Sequence, residues 1–232
     1  MPKNFFITGT DTDVGKTYVA AALVKAFQAG QIKASGFKPV AAGAKRVDGQ
    51  FKNDDALELM CESSKEFSYK DINPYCFEPP IAPHIAADQA GVVIDISVIK
   101  SCYAKHQLVS DVVIIEGAGG WKVPLNSKMG FDDLALSLDA AVIIVVGLKL
   151  GCINHALLTE EAVLNKGCQV AGWIGNELSG DFNEVNENLE ALKGRMKSKF
   201  LGAFEYRPDT KEKSLLEQRK IESVLDYLVN FR

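Results

Sequence analysis

The stretch Gly9-Thr10-Asp11-Thr12-Asp13-Val14-Gly15-Lys16-Thr17 decides the fold. The apolar run Phe5-Phe6-Ile7 precedes it and the amphipathic run Tyr18 to Ala29 follows it. Strand, glycine loop and helix in that order are the setting of a phosphate-binding loop, because loop amides and the helix N-terminus then point at one anion. In such a loop Lys16 reaches the β- and γ-phosphates, and the Thr17 hydroxyl is placed to ligate Mg²⁺. The spacing departs from the standard motif: five residues separate Gly9 from Gly15 where four are usual, and Thr10 stands where the first glycine would be. The extra residue and the acids Asp11 and Asp13 mark a particular kind of nucleotide loop without saying which.

The 232 residues suffice for one large core, and a single α/β domain spanning 1–232 is the expectation. With 47% hydrophobic and 24% charged residues the chain reads as globular. A net charge of −4 with no basic stripe argues against a nucleic-acid partner. The longest purely apolar run, Ala140 to Val146, is too short to cross a bilayer and reads as a buried strand. No signal peptide is visible ahead of the first strand. The five cysteines are scattered without a CxxC pair, which fits reduced thiols in the cytoplasm. The three histidines have no metal-ligand spacing with them.

Strand-like runs recur between helical ones. Lys3 to Thr8, Lys33 to Phe37, Val112 to Ile115, Ala140 to Val146, Val170 to Ile174 and Phe200 to Phe204 read as strands. Several are continuous apolar runs, as strands covered on both faces should be. Asp95 to Ser110, Asn154 to Asn165, Asn183 to Lys197 and Ser214 to Phe231 read as amphipathic helices, with Asp95 as an N-cap. The alternation predicts a doubly wound, mostly parallel sheet with helices on both faces, of the P-loop NTP hydrolase type. The stretch Asn73 to Gly91, with four prolines, reads as a long irregular connection that walls or lids a site.

In such a sheet ligands sit beyond the carboxyl ends of the strands. Lys38 follows the second strand, Glu116 follows Val112 to Ile115, and Asn176 follows the run ending in Gly175, so all three fall on the rim that carries the glycine loop. A carboxylate directly after a buried strand is placed as a metal ligand, and Gly117, Gly119 and Gly120 after it let backbone approach a ligand closely. Asp54 and Asp55 open a helical run; they serve either as helix N-terminal charge or as a second metal carboxylate, and spacing does not choose between them. Asn176 has the amide pair that reads adenine, or is a left-handed residue ending a strand.

These segments together resemble dethiobiotin synthetase. GTDTDVGKT, FKPVAAG, NDDAL, NPYCFEPPIAPH, EGAGGWKVPL, VVGLKLGCINHALLT and AGWIGN occur in the family's order and cover residues 5 to about 176. The resemblance implies biotin biosynthesis: an enzyme, a ligase using ATP and Mg²⁺, that forms the ureido ring of dethiobiotin from 7,8-diaminononanoate and CO₂ and works as a cytoplasmic homodimer. It implies that Lys16 and Lys38 are catalytic and hold phosphate and carbamate oxygens. Thr17, Asp55 and Glu116 would surround Mg²⁺, alignment of the DAL triplet favouring Asp55. Asp13, Val14, Gly15, Lys16, Thr17 and Tyr18 would bind nucleotide, as would Gly117, Ala118, Gly119, Asn176 and Glu205. Thr12 and Ala42 would meet the substrate. Gly151, Cys152, Ile153 and Asn154 would start a helix whose amides bind the substrate's tail carboxylate across the dimer interface, in keeping with helix-terminus physics.

Two positions depart from the family pattern. Ala42 stands where a hydroxyl residue is common, and Pro208 is displaced in GAFEYRP near Glu205. The competing reading is an ATP-dependent dimerising switch of the partition or septum-site ATPase type. Such proteins carry an extra lysine early in the loop, where this chain has Gly9-Thr10-Asp11-Thr12. They also use a basic surface or an amphipathic membrane tail, neither of which the sequence shows.

Overall fold

A computed structural model describes residues 3–206 and 224–231 of the chain. Strand β1 (Lys3–Gly9) leads through the glycine loop into helix α1 (Lys16–Ala29), which returns along the sheet to β2 (Ala34–Phe37). Short elements follow: β3 (Val40–Ala42), β4 (Lys45–Val47), β5 (Gln50–Lys52), α2 (Asp54–Cys61), α3 (Tyr69–Ile72), β6 (Tyr75–Phe77) and α4 (Pro83–Gln89). Regular alternation resumes with α5 (Ile96–Val109), β7 (Val112–Gly120), α6 (Phe131–Ser137), β8 (Ala141–Leu148), α7 (Cys152–Asn165), β9 (Val170–Glu177), α8 (Val185–Lys193) and β10 (Phe200–Phe204). Residues 224–230 are helical.

Six strands form one sheet in the order β10-β9-β8-β1-β7-β2, and every neighbouring pair is parallel. All six carboxyl ends therefore lie on one rim. The central strands are apolar at successive positions because both faces are covered. In β1, Phe5 and Ile7 face one core with Val19, Leu23 and Phe27 of α1, while Phe6 faces the other with Phe131 and Leu134 of α6. Burying each such side chain stabilises by about 1.5–3 kcal/mol. This is the doubly wound architecture that the alternation of runs predicts.

Asp95 caps α5, its carboxylate accepting from Ser97 N–H. The run Asn183 to Lys197 is helical only over Val185–Lys193, and a turn reaching Gly194 closes it. Asn73 to Gly91 is not an irregular connection: β6 pairs in parallel with β3, and α4 starts with Pro83 in its first turn, where a missing N–H costs nothing. The hairpin of β4 and β5 also escaped the sequence reading. Strands of three residues carry too little periodicity to show. Of the expected helix Ser214 to Phe231, residues 214–223 lie outside the described residues, as does Pro208. Among the described residues no helix is long and apolar enough to cross a membrane.

Candidate active site

The register of the sheet brings the charged residues of the rim together. Phe37 at the end of β2 is level with Ile115 of β7, so the next residues, Lys38 and Glu116, are side by side. Glu116 is also level with Ile7 of β1, two residues before the glycine loop begins at Gly9. Glu116 does not follow its strand, as expected from sequence; β7 runs on to Gly120 and holds the carboxylate in rigid sheet. Asp55 arrives from the first turn of α2, whose N-cap Asn53 accepts from Ala56 N–H at 3.3 Å.

Lys38 and Glu116 are buried, with 3% and 0% of their surfaces exposed. The Lys38 ammonium donates to Glu116 Oε1 at 2.6 Å, to Asp55 Oδ2 at 2.8 Å and to the Gly117 carbonyl at 3.4 Å. Three donors meet three acceptors, so the ammonium is saturated. Burial alone would lower its pKa, but the carboxylates of Glu116 and Asp55 outweigh that and raise it. Thr17 Oγ1 donates to Glu116 Oε1 at 2.8 Å. Glu116 Oε2 is buried without a hydrogen-bond partner.

The glycine loop turns sharply above this cluster. Gly15 adopts φ +84° as the N-cap of α1, a conformation that costs a residue with a Cβ roughly 1–2 kcal/mol. Asp13 adopts φ +56° without being glycine. Lys16 curls back and donates to the Asp11 carbonyl at 3.0 Å. Burial, and then the charge of Lys38, lower its pKa to about 8. Asp11 in turn pairs with Lys149 at 3.0 Å, tying the loop to the turn that opens α7.

These groups open into one cleft of about 800 Å³. Thr12, Asp13, Gly15, Lys16 and Thr17 line it from the loop, and Lys38, Ala42 and Asp55 from the β2 side. Glu116, Ala118 and Gly119 line it from β7. Gly119 has φ +64° and turns the strand end across the cleft. Pro80, Ile81, Ala82 and Pro83 form a further wall, which places the proline-rich stretch at the site.

Other residues singled out from the sequence lie outside this cleft. Val14 is wholly buried, and Gly117 packs against the ring of Phe6. Asn176 is not a left-handed strand end: it sits within β9, level with Gly147 and Phe204, and its Nδ2 donates to the Val14 carbonyl at 2.9 Å. That bond sets Asn176 directly behind Gly15, where an added Cβ would lie 2.2 Å from Nδ2. Tyr18 packs edge-on against Phe204, with Glu205 next in the chain. Gly151, at φ +92°, is the N-cap of α7, followed by Cys152, Ile153 and Asn154 in its first turn. Cys152 is buried with its thiol toward Asn188 Oδ1 at 3.5 Å, and its N–H donates to the Lys149 carbonyl at 3.0 Å.

A family model described as an AAA domain matches residues 3–214. The ATP-dependent dethiobiotin synthetase BioD of Aromatoleum aromaticum is 46% identical over 201 residues, covering 87% of this chain and 89% of that protein. The chain belongs to the dethiobiotin synthetase family. The namesake enzyme of Vibrio cholerae is 38% identical over 226 residues, 97% of this chain and 98% of its own. Dethiobiotin synthetase relatives thus match nearly end to end, well past residue 176, where motif resemblance in the sequence fades. Solved structures share the fold at low identity. A ParA family ATPase from Chlorobium tepidum gives a TM-score of 0.59 at 12% identity, each chain covered in full. The MinD cell division protein of Aquifex aeolicus gives 0.53 at 19%, covering 97% of this chain and 89% of that one.

Proposed function

We propose that this chain is an ATP-dependent synthetase of biotin biosynthesis, joining CO₂ to 7,8-diaminononanoate and closing the ureido ring of dethiobiotin. Family membership supports the reaction. The observation that carries the site assignment is the buried Lys38–Glu116–Asp55 cluster beside a glycine loop, facing one cleft.

Thr17, Asp55 and Glu116 would hold Mg²⁺. The donor set is all oxygen, as a hard cation requires, and Glu116, which lines the cleft, has a buried Oε2 with no hydrogen-bond partner. Bound there, the cation supplies neutralisation of charge on the phosphates. The loop amides and Lys16 grip phosphate oxygens, Lys16 exchanging the Asp11 carbonyl for an anion it binds more strongly. Lys38 holds the carbamate that forms when a neutral substrate amine adds to CO₂ and sheds a proton. The carbamate oxygen attacks the γ-phosphate in line and ADP departs. The second amine then attacks the carbamic–phosphoric carbonyl, loses a proton and expels phosphate, closing the five-membered ring. No enzyme nucleophile is needed; positioning and electrostatics suffice. The Pro80–Pro83 wall keeps water from the mixed anhydride.

Asn176 keeps one amide hydrogen and its carbonyl oxygen for adenine, which it would meet just behind the loop. The first turn of α7 lies outside the cleft of its own protomer, and Leu150 beside it is 92% exposed. Both facts support a homodimer in which that turn receives the substrate's tail carboxylate.

The test is fixation of labelled bicarbonate into acid-stable product with 7,8-diaminononanoate, Mg²⁺ and ATP, each omitted in turn. Label retained only in the complete mixture is the expected result. ATP hydrolysis without stable label at any diamine concentration would sink the assignment.

A further inference from the structure

We propose that Tyr69 is a positioning residue, whose phenol oxygen sets Lys38 and Asp55 relative to each other. The inference rests on the functional reading above for what those two side chains do, but its geometry stands apart from that reading.

Lys38 and Asp55 come from different supports. Both peptide groups of Lys38 are held by one short segment: its N–H donates to the Ile72 carbonyl at 2.9 Å, and its carbonyl accepts from Asn73 Nδ2 at 2.6 Å. Asp55 is held by α2, whose N-cap is Asn53. Asn53 also reaches across the cleft floor, donating from Nδ2 to the Ala42 carbonyl at 3.3 Å. The two supports meet at Tyr69. Its hydroxyl accepts from Asn53 N–H at 2.7 Å and donates to Asn73 Oδ1 at 2.9 Å.

Donor and acceptor counting fixes this arrangement. Asn73 gives both amide hydrogens to carbonyls, those of Lys38 and of Tyr75 at 3.0 Å, so its oxygen must face Tyr69. The single phenol proton therefore goes to Asn73, and both phenol lone pairs accept. One takes Asn53 N–H, and the other faces Cys76 Sγ at 3.3 Å, whose S–H is left to donate. Every group is used once, so no rotation of the Asn73 amide or the phenol improves the network. Asn53 and Asn73 are themselves buried, 7% and 2% exposed. Burial holds the phenol pKa well above its usual value, so the donated proton stays in place. The glycine loop is absent from these contacts.

Tyr69→Phe keeps the ring and removes the joint. Asn53 N–H and Asn73 Oδ1 lose their shared partner, and the Lys38 backbone loses the amide orientation that held it. Because misplacement of reacting groups by about 1 Å costs around 100-fold, the expected loss in kcat is about 10–100-fold. The concentration of Mn²⁺ giving half-saturation, read by electron paramagnetic resonance with nucleotide present, rises. Metal-free nucleotide affinity stays as in the parent, since the loop is untouched. Asn73→Asp keeps the acceptor toward Tyr69 and loses the hydrogens toward Lys38, and it should lose kcat as well. Tyr227→Phe is the matched control: it removes a phenol bond of 3.0 Å to the Ala171 carbonyl away from the cleft, and should leave kcat and Mn²⁺ binding unchanged. Tyr69→Phe with parental kcat and Mn²⁺ half-saturation, whatever its melting temperature, overturns the proposal. So does equal loss of metal-free nucleotide affinity, which would mean a general structural role. Should the parent protein form no labelled product, the functional reading fails, and the Mn²⁺ comparison still decides on Tyr69.

Discussion

At the scale of single residues, Lys38 bridges Asp55 and Glu116, the two carboxylates proposed above to hold Mg²⁺. Removing one partner of a buried pair leaves the other charge uncompensated, at a cost of about 3–5 kcal/mol. Lys38→Met should therefore unfold more readily than the parent without metal and lose turnover. Millimolar Mg²⁺ should raise its melting temperature by more than it raises the parent's, because the cation no longer competes with an ammonium. A smaller gain in Lys38→Met, measured by differential scanning fluorimetry, would remove Glu116 and Asp55 from the metal site. Gly15→Ala is a second case. Its φ of +84° costs about 1–2 kcal/mol with a Cβ, and that Cβ would lie 2.2 Å from Asn176 Nδ2. Displacing Asn176 and straining the loop should weaken ATP binding at least tenfold, as read by titration with a fluorescent ATP analogue. Equal affinity for ATP in parent and variant would contradict the place given to Asn176.

The residues that bear charge or follow strands were legible in the sequence for a physical reason. Lys38 and Glu116 stand at abrupt ends of apolar runs and Lys16 and Thr17 close a glycine loop that follows one, and polar groups there have one rim to occupy. Spacing alone leaves Asp55 level with Asp54, and only the family resemblance favours it. The structure separates them, since Asp54 pairs at the exposed surface with Lys45 and Asp55 turns inward to Lys38. Tyr69 and Asn73 were not legible as a pair. Their roles depend on which backbone groups β2 and α2 leave open, and no local pattern encodes that.

At the scale of elements, α5 is joined to β2 and α3 by a buried histidine. His106 Nε2 meets the Asp71 carbonyl at 3.1 Å, so that nitrogen carries the hydrogen, and Nδ1 at 2.9 Å accepts from Ser35 Oγ. The ring stacks on Phe67 with centroids 4.0 Å apart. Burial lowers its pKa to about 4, opposed by the carbonyl and charge of Asp71, whose carboxylate is itself paired with Lys105. Well above pH 6.5 the imidazole is neutral folded and unfolded, and it adds no pH dependence. As pH falls from 6.5 toward 4 the unfolded chain takes up a proton that the native chain refuses, so stability is lost, on the order of 3 kcal/mol in all. Urea unfolding at several pH values should show this fall in the parent, and a shallower one in His106→Gln. Parallel profiles would mean that His106 is not held neutral. The same scale explains what sequence missed: β3 and β6 are three residues each and pair across more than thirty residues of chain, so only tertiary context makes them strands.

At the scale of the whole molecule, one sheet serves two cores. Within β8, Val142, Ile144 and Val146 belong to one and Ile143 and Val145 to the other; in β7, Val113 and Ile115 oppose Val112 and Ile114. Melting either helical layer would expose alternate side chains of the same strands and strip the remaining core of its support. The chain should therefore unfold as a single cooperative domain, with calorimetric and van't Hoff enthalpies in agreement. The cleft is lined at once by the glycine loop, the start of α1, β3, α2 and β7, so ATP, with Mg²⁺ as proposed above, would bind the folded sheet alone and should shift that one transition upward by an amount set by RT ln(1 + [L]/Kd). Two resolved transitions, or a nucleotide that moves one part of the curve and not the rest, would mean that the layers fold independently and that the site is assembled after the core rather than with it.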